Sequence, residues 1–166
     1  MFNSIAQFTN IYKNECESTY KLLNLLTDES LSQKVWAEGR DLGYLSWHIV
    51  VTLGEMMGSA GLSLDTPDQK SEAPKSAKVI ADTYKKLSSE LLEKISVEWN
   101  DEKLNEEIDM YGEKWTRGFT LYVLINHEIH HRGQMTVLMR QAGLKVLGVY
   151  GPAKEEWAAY NAPAIP

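Results

Sequence analysis

The chain has 166 residues, enough to bury most of its apolar surface in one core, so we expect a single domain spanning residues 1–166. Its formal net charge is −6 and its lysines and arginines are scattered, which argues against nucleic acid or an anionic membrane surface as a partner. The sequence has one cysteine, no N-terminal signal pattern and no apolar run of about 20 residues; these features predict a cytoplasmic protein without disulfides.

Apolar residues recur at steps of three and four in four segments, which is the period of amphipathic α-helices. The predicted helices span residues 2–26, 41–58, 75–99 and 118–142. Asp41 stands at the N-cap position of the second helix. Gly143 follows the fourth helix, at the position where glycine commonly ends one.

The connections between these helices differ in length. Residues 27–30 break the first helix and residues 31–40 form a short, turn-rich link, whereas residues 59–74 and 100–117 are too long for tight hairpins. The last of these contains a predicted short β-hairpin around Tyr111-Gly112. Gly151-Pro152 begins a short final helix that extends through Tyr160. The pattern predicts an all-α fold, a four-helix bundle with long crossover connections and a short C-terminal helix.

Three of the four histidines lie in the segment HEIHH of the fourth helix, residues 127–131. His127 and His131 are four residues apart, so they share one face of the helix and can direct two imidazoles to one point. They lie on the same side of the helix as the apolar residues that should face the core. Burying two imidazoles there without hydrogen-bond or metal partners would cost desolvation free energy. A shared divalent metal ion, which binds neutral imidazole, is therefore favoured over two core histidines.

The sequence leaves the roles of the other polar residues near the predicted metal site more open. His48, on the apolar side of the second helix, fits a third metal ligand and a hydrogen-bonded core residue about equally. His130 points about 100° away from His131, so we expect it to have a supporting role outside the ligand set. For Glu128 a solvated or interface carboxylate is favoured. Glu55, two turns after His48, fits a pocket residue and a surface charge equally well.

Two other residues lead to packing predictions. Cys16 lies on the apolar stripe of the first helix, which favours a small buried hydrophobe over a reactive thiol. Gly133 lies in the middle of the fourth helix, where glycine costs about 1 kcal/mol relative to alanine. This cost predicts close packing of the backbone at Gly133 against a neighbouring helix.

The stretch NHEIHHRGQM, followed by LMRQAGLKV, resembles the H-x-x-x-H-R-G-Q helix of the DinB-like (DinB/YfiT-type) metalloenzyme family. The segments LGYLSWHIV and GVYGPAKEEW are also similar to that family, so the landmarks span residues 42–157. The resemblance implies a four-helix bundle, commonly homodimeric, in which His48, His127 and His131 bind a divalent metal. Zinc or nickel is implied first, and iron or manganese are alternatives. Leu147 stands where the family pattern has proline, outside the metal site.

Family members with an assigned reaction use low-molecular-weight thiols, as transferases or as thiol-dependent isomerases. The leading hypothesis is therefore a metal-dependent enzyme that activates a thiol or a water nucleophile toward a small-molecule substrate. The letters H-E-x-x-H also spell the zinc-protease motif, with Glu128 as the base. Gln134 and Val137 replace the glycine and histidine of its extended form, so Glu155 or Glu156 would have to supply the third ligand. A third hypothesis is a non-catalytic dimeric bundle with a structural metal.

Overall fold

The computed structural model describes residues 1–160. Its four long helices are α1 Ile5–Leu23, α2 Leu42–Ser59, α3 Ala77–Glu98 and α4 Arg117–Gln141. Short 3-10 helices cover Glu29–Ser32, Glu102–Asn105 and Lys154–Tyr160. The predicted all-α fold is confirmed, and the short C-terminal helix is a 3-10 helix that begins two residues after Pro152. The first helix is shorter at both ends than the apolar pattern suggested.

The predicted hairpin precedes α4. Strands β1 (Glu107–Met110) and β2 (Glu113–Thr116) pair antiparallel, with Ile108 opposite Trp115. Tyr111 and Gly112 connect them, with φ angles of 54° and 84°. Two consecutive positive φ angles are typical of the type I′ turn, whose twist matches that of the flanking strands.

Both predicted helix caps are present. The Asp41 side chain accepts a hydrogen bond of 2.7 Å from the backbone N–H of Tyr44, which satisfies one of the free donors at the start of α2. At the end of α4, Gly143 has a φ angle of 78°, and the N–H of Leu144 donates to the carbonyl of Met139 at 2.9 Å. This pair of features is the Schellman motif, which ends a helix.

The helices pack as two pairs around one core. α1 contacts α3 and α4, and α2 contacts the same two helices from the other side. Most of the largest fully buried side chains come from α1, α2 and α3, and they include Phe8, Tyr12, Leu53, Met56, Ile80 and Tyr84. The connection after α2 crosses that helix at Gly54, where a Cβ atom would lie 2.3 Å from Oγ1 of Thr66. Glycine is therefore required at this crossing.

The predicted packing role of Gly133 is wrong. Gly133 is exposed, and a Cβ atom built on it would meet no atom within 4 Å. The backbone of α4 faces solvent at this position because the neighbouring positions 131 and 132 supply the buried faces of the helix. Across the described part of the chain, no helix combines the length and the apolar character needed to span a bilayer.

Candidate metal centre

α2 and α4 pack side by side and bring three histidines together. Nε2 of His127 lies 3.2 Å from Nε2 of His48 and 3.1 Å from Nε2 of His131. Two nitrogens that bind one ion at about 2.1 Å are about 3.0–3.4 Å apart, for angles between 90° and the tetrahedral value. These two nitrogen–nitrogen distances are in the range expected for imidazoles that share one metal ion, and the donor atoms of all three histidines lie within 4.8 Å of one another.

Neighbouring side chains orient two of these rings. Nδ1 of His131 lies 2.7 Å from Oε1 of Gln134, and Nδ1 of His48 lies 3.3 Å from Oγ1 of Thr52. Because an amide oxygen only accepts, Nδ1 of His131 must donate, which leaves the lone pair of its Nε2 free. A hydrogen bond at the far nitrogen is how proteins hold a metal-binding histidine in the required tautomer.

Burial keeps the three rings neutral. It lowers the pKa of His127 to about 4, and repulsion from His131, His48 and His130 adds to the effect. Burial also lowers the pKa of His48 and of His131. Neutral imidazole is the form that binds a metal ion, so the cluster is ready to bind one at physiological pH without releasing protons.

The structure groups His48 with the pair predicted on α4. Within residues 1–160, His48, His127 and His131 form the set whose donor atoms all lie within 4.8 Å of one another, and this set could hold a metal ion. His130 is exposed, with its ring centroid 5.0 Å from that of His131, and lies outside the group as expected. Glu55 accepts a hydrogen bond of 3.1 Å from the hydroxyl of Tyr111, so it links α2 to the hairpin.

The sequence as a whole matches a known family. The model of the DinB family covers residues 1–164. The chain belongs to the DinB family. Over 164 residues it is 43% identical to YrdA of Bacillus subtilis (strain 168), described as uncharacterized, which covers 99% of this chain and 98% of that protein.

Two crystal structures of DinB-like proteins have similar folds. The first, from Bacillus cereus ATCC 10987, superposes with a TM-score of 0.87 at 43% identity and covers 90% of this chain and 100% of the other. The second, YjoA of Bacillus subtilis, superposes with a TM-score of 0.69 at 22% identity and covers 89% of this chain and 99% of the other. The helical bundle is therefore shared with solved members of the DinB family.

Of the two alternatives for Glu128, a solvated or an interface carboxylate, the solvated one is wrong, because the side chain lies between α4 and the helices α1 and α3. In this DinB family member Glu128 is 2% exposed, and its Oε1 accepts hydrogen bonds of 2.6 Å from both Thr19 of α1 and Tyr84 of α3. Burial raises the pKa of Glu128. Because each residue turns the helix by about 100°, Glu128 points to α1 and α3 while His127 points to α2. α4 therefore has two buried polar faces, and the sequence analysis assigned only one.

Arg132, one turn after Glu128, lies on the same inner face. Its guanidinium donates to Glu15 Oε2 at 2.6 Å, to the Tyr150 hydroxyl at 2.7 Å and to Thr19 Oγ1 at 3.1 Å. The network joins α1, α4 and the segment that follows α4. Apolar periodicity did not predict this network, although the four-residue spacing of Glu128 and Arg132 was a signal that both occupy one helix face.

From the sequence, Gln134 was interpreted only as a departure from the extended zinc-protease pattern, without a role at the metal centre. Because it orients His131, we expect Gln134→Leu to weaken zinc binding by about 10- to 100-fold, as loss of such an orienting partner commonly does. Gln134→Glu keeps an acceptor at this position and should retain tight binding. Competition with a chromophoric chelator measures both affinities, and equal affinities for the Leu and Glu variants would contradict the role.

Cys16 packs against the core, half-buried, and its thiol donates to the carbonyl of Lys13 at 3.4 Å. Burial raises the pKa of Cys16 to about 11, and the charge of Glu128 adds to the effect. The thiol is therefore protonated at pH 7.5. We expect iodoacetamide to alkylate Cys16 more than about tenfold slower than free cysteine, since only the thiolate reacts. Mass spectrometry over time measures the rate, and a rate equal to that of free cysteine would contradict this burial.

Proposed function

We propose that this DinB family member is a metal-dependent enzyme in which His48, His127 and His131 bind a divalent ion. The supporting observation is the convergence of three Nε2 atoms, with two of the distances at 3.1 and 3.2 Å. Imidazole ligands suit zinc and nickel, and iron or manganese are alternatives. Three protein ligands leave a coordination position open, which is typical of catalytic rather than structural sites.

The proposed reaction is transfer of a low-molecular-weight thiol to a small-molecule substrate. When bound, a divalent ion lowers the pKa of a thiol or a water molecule beside it and so supplies a nucleophile near neutral pH. The chain itself keeps the three imidazoles neutral, and Gln134 and Thr52 fix the orientation of two of them. The preference for a thiol over water rests on family resemblance, and hydrolysis is the alternative.

Cobalt substitution tests this function. We expect cysteine or 2-mercaptoethanol, added to the cobalt-loaded protein, to change its visible absorption spectrum saturably. The same thiols should leave the spectrum of cobalt mixed with the His127→Ala variant unchanged, which controls for binding outside the cluster. A cobalt-loaded protein with no spectral response to either thiol would exclude thiol transfer and leave hydrolysis. A protein that binds no cobalt would refute the metal centre itself.

The zinc-protease alternative lacks its base and its third ligand. Glu128 is bonded to Thr19 and Tyr84 on the face of α4 away from the histidines. Glu155 forms an ion pair with Arg140, and Glu156 accepts hydrogen bonds from the backbone N–H groups of Gly148 and Ala153. The structural-metal alternative would be favoured by a fourth protein ligand, and the group found within residues 1–160 has three.

A homodimer is part of the same proposal. Exposed Tyr111 and Tyr122 continue a row of aromatic rings through half-buried Trp115 and Phe119, with successive centroids 5.0–6.2 Å apart. Exposed apolar patches of this kind commonly mark contact surfaces. We expect light scattering after size exclusion to give a mass near twice 18.8 kDa. A mass near 18.8 kDa at all concentrations would contradict the dimer.

A further inference from the structure

A cavity of about 470 Å³ lies between α2, α4 and residues 33–41. Its base is formed by Leu45 and Leu138, which are buried. Its walls include Val35, Trp36 and Val137, which are 57%, 62% and 54% exposed. Three large apolar side chains that remain exposed around one cavity indicate a surface that a ligand covers, and the volume is within the range of small-molecule sites.

The wall that contains Trp36 is held in place by a tight turn. The N–H of Gly39 donates to the carbonyl of Trp36 at 3.0 Å. A Cβ atom at Gly39 would lie 3.0 Å from two carbons of the Trp36 ring, so the ring lies directly against the glycine. The indole therefore has a defined position at the cavity, and a ligand would meet a preformed wall.

One cation, Arg40, lines this cavity. Its guanidinium lies 4.7 Å above the ring of Tyr44, whose other neighbour in the stack is the His48 ring at 5.8 Å. Among the residues that the structure describes, no carboxylate forms an ion pair with Arg40. Its charge and hydrogen-bond donors are available to a ligand, and guanidinium binds a carboxylate through two parallel hydrogen bonds.

The cavity adjoins the candidate metal centre at Gln134. This side chain lines the cavity, and its Oε1 accepts the hydrogen bond from His131. Arg40 also approaches the cluster through Tyr44, since its guanidinium lies over the Tyr44 ring and that ring stacks on the ring of His48. Only the Gln134 side chain would therefore separate a ligand in the cavity from His131.

We propose that this cavity binds an organic monocarboxylate with an apolar body. The carboxylate would face Arg40, and the body would lie against Trp36, Val137 and Leu138. Glu38, which is exposed, is the carboxylate in the lining and favours a ligand with one negative charge over a ligand with two. That the ligand is the molecule that receives the nucleophile rests on the proposed function; that the cavity binds it does not.

The test uses the metal-free protein and three probes of equal size: 3-phenylpropanoate, 3-phenylpropanol and 3-phenylpropylamine. We expect the carboxylate to shift the amide NMR signals of residues 34–40 and 134–138 saturably. The alcohol should bind about tenfold more weakly and the amine more weakly still, because a hydrogen bond to a charged group contributes about 1.5–3 kcal/mol. Repeating the titration with zinc present shows whether the same site binds the carboxylate beside the metal.

Variants separate the charge from the apolar walls. Arg40→Gln should weaken 3-phenylpropanoate about tenfold and leave 3-phenylpropanol unchanged, whereas Trp36→Ala should weaken both. Lys13→Gln removes one exposed positive charge on α1 and serves as the control for net charge. Equal binding of the acid and the alcohol, or no effect of Arg40→Gln, would overturn the proposal. These titrations need no metal. If the protein bound no metal, the proposed function would be refuted, and the binding of the carboxylate to the cavity could still be measured.

Discussion

His127→Ala is expected to abolish stoichiometric binding of zinc or nickel. Nε2 of His127 is the atom that approaches both other imidazoles, at 3.1 and 3.2 Å, so its removal leaves two nitrogens that no longer surround one ion. Structural zinc sites with four ligands bind with about 10–16 kcal/mol, so one ligand corresponds to about 3 kcal/mol, or roughly a hundredfold in affinity. Elemental analysis after dialysis against a chelator measures the loss.

His130→Ala is the matched control for this variant. His130 lies on the same helix turn but is exposed and outside the nitrogen cluster, so its replacement should leave the metal content unchanged. His48→Ala should lose metal as His127→Ala does, since it removes the only ligand from α2. Full metal retention in His48→Ala would contradict a three-histidine centre and restrict the site to α4.

Arg132→Ala is expected to cause a large loss of stability. Arg132 is 2% exposed, and its removal leaves the carboxylate of Glu15 without its charged partner. Breaking a buried ion pair from one side typically costs about 3–5 kcal/mol, because the remaining charge stays desolvated. Urea unfolding at 15 °C should show a much lower midpoint with an unchanged slope.

Arg140→Ala is the control for a lost arginine. The Arg140 pair with Glu155 lies at the surface, so its removal should change the urea midpoint little. Tyr150→Phe removes the hydroxyl that accepts from Arg132 and donates to Glu15, at a residue that is 70% exposed, and should cost at most about 1 kcal/mol, which keeps the test informative if Arg132→Ala does not fold. Equal midpoints for Arg132→Ala and Arg140→Ala would contradict the importance of the network.

The two predictions concern two faces of α4 that lie about 100° apart around the helix axis. His127 and His131 face α2, whereas Glu128 is hydrogen-bonded to α1 and α3 and Arg132 to α1. Since all four side chains belong to one rigid helix, the hydrogen bonds of the inner face fix the rotation of α4 about its axis. The same rotation determines where the two imidazoles point, so the buried network supports the geometry of the candidate metal centre.

The four helices, the hairpin at Tyr111-Gly112 and the caps at Asp41 and Gly143 were all predicted from the sequence. These features depend on apolar period, side-chain capping and backbone conformation, which are local properties of the chain. The same period placed His127 and His131 on one face, because a spacing of four residues fixes their relative direction whatever the rest of the protein does.

Only the tertiary structure decided the rest. Periodicity left His48 open between a core residue and a ligand, because the contact of α2 with α4 joins residues 79 positions apart. It left Glu128 as a solvated or interface carboxylate and predicted a helix contact at Gly133, whereas the structure buries Glu128 between helices and leaves Gly133 without a packing neighbour. A single apolar stripe describes one buried face, whereas α4 contacts α2 on one side and α1 on the other. The helices that pack against α4 determine which of its polar residues are buried, and the local sequence of α4 does not specify those helices.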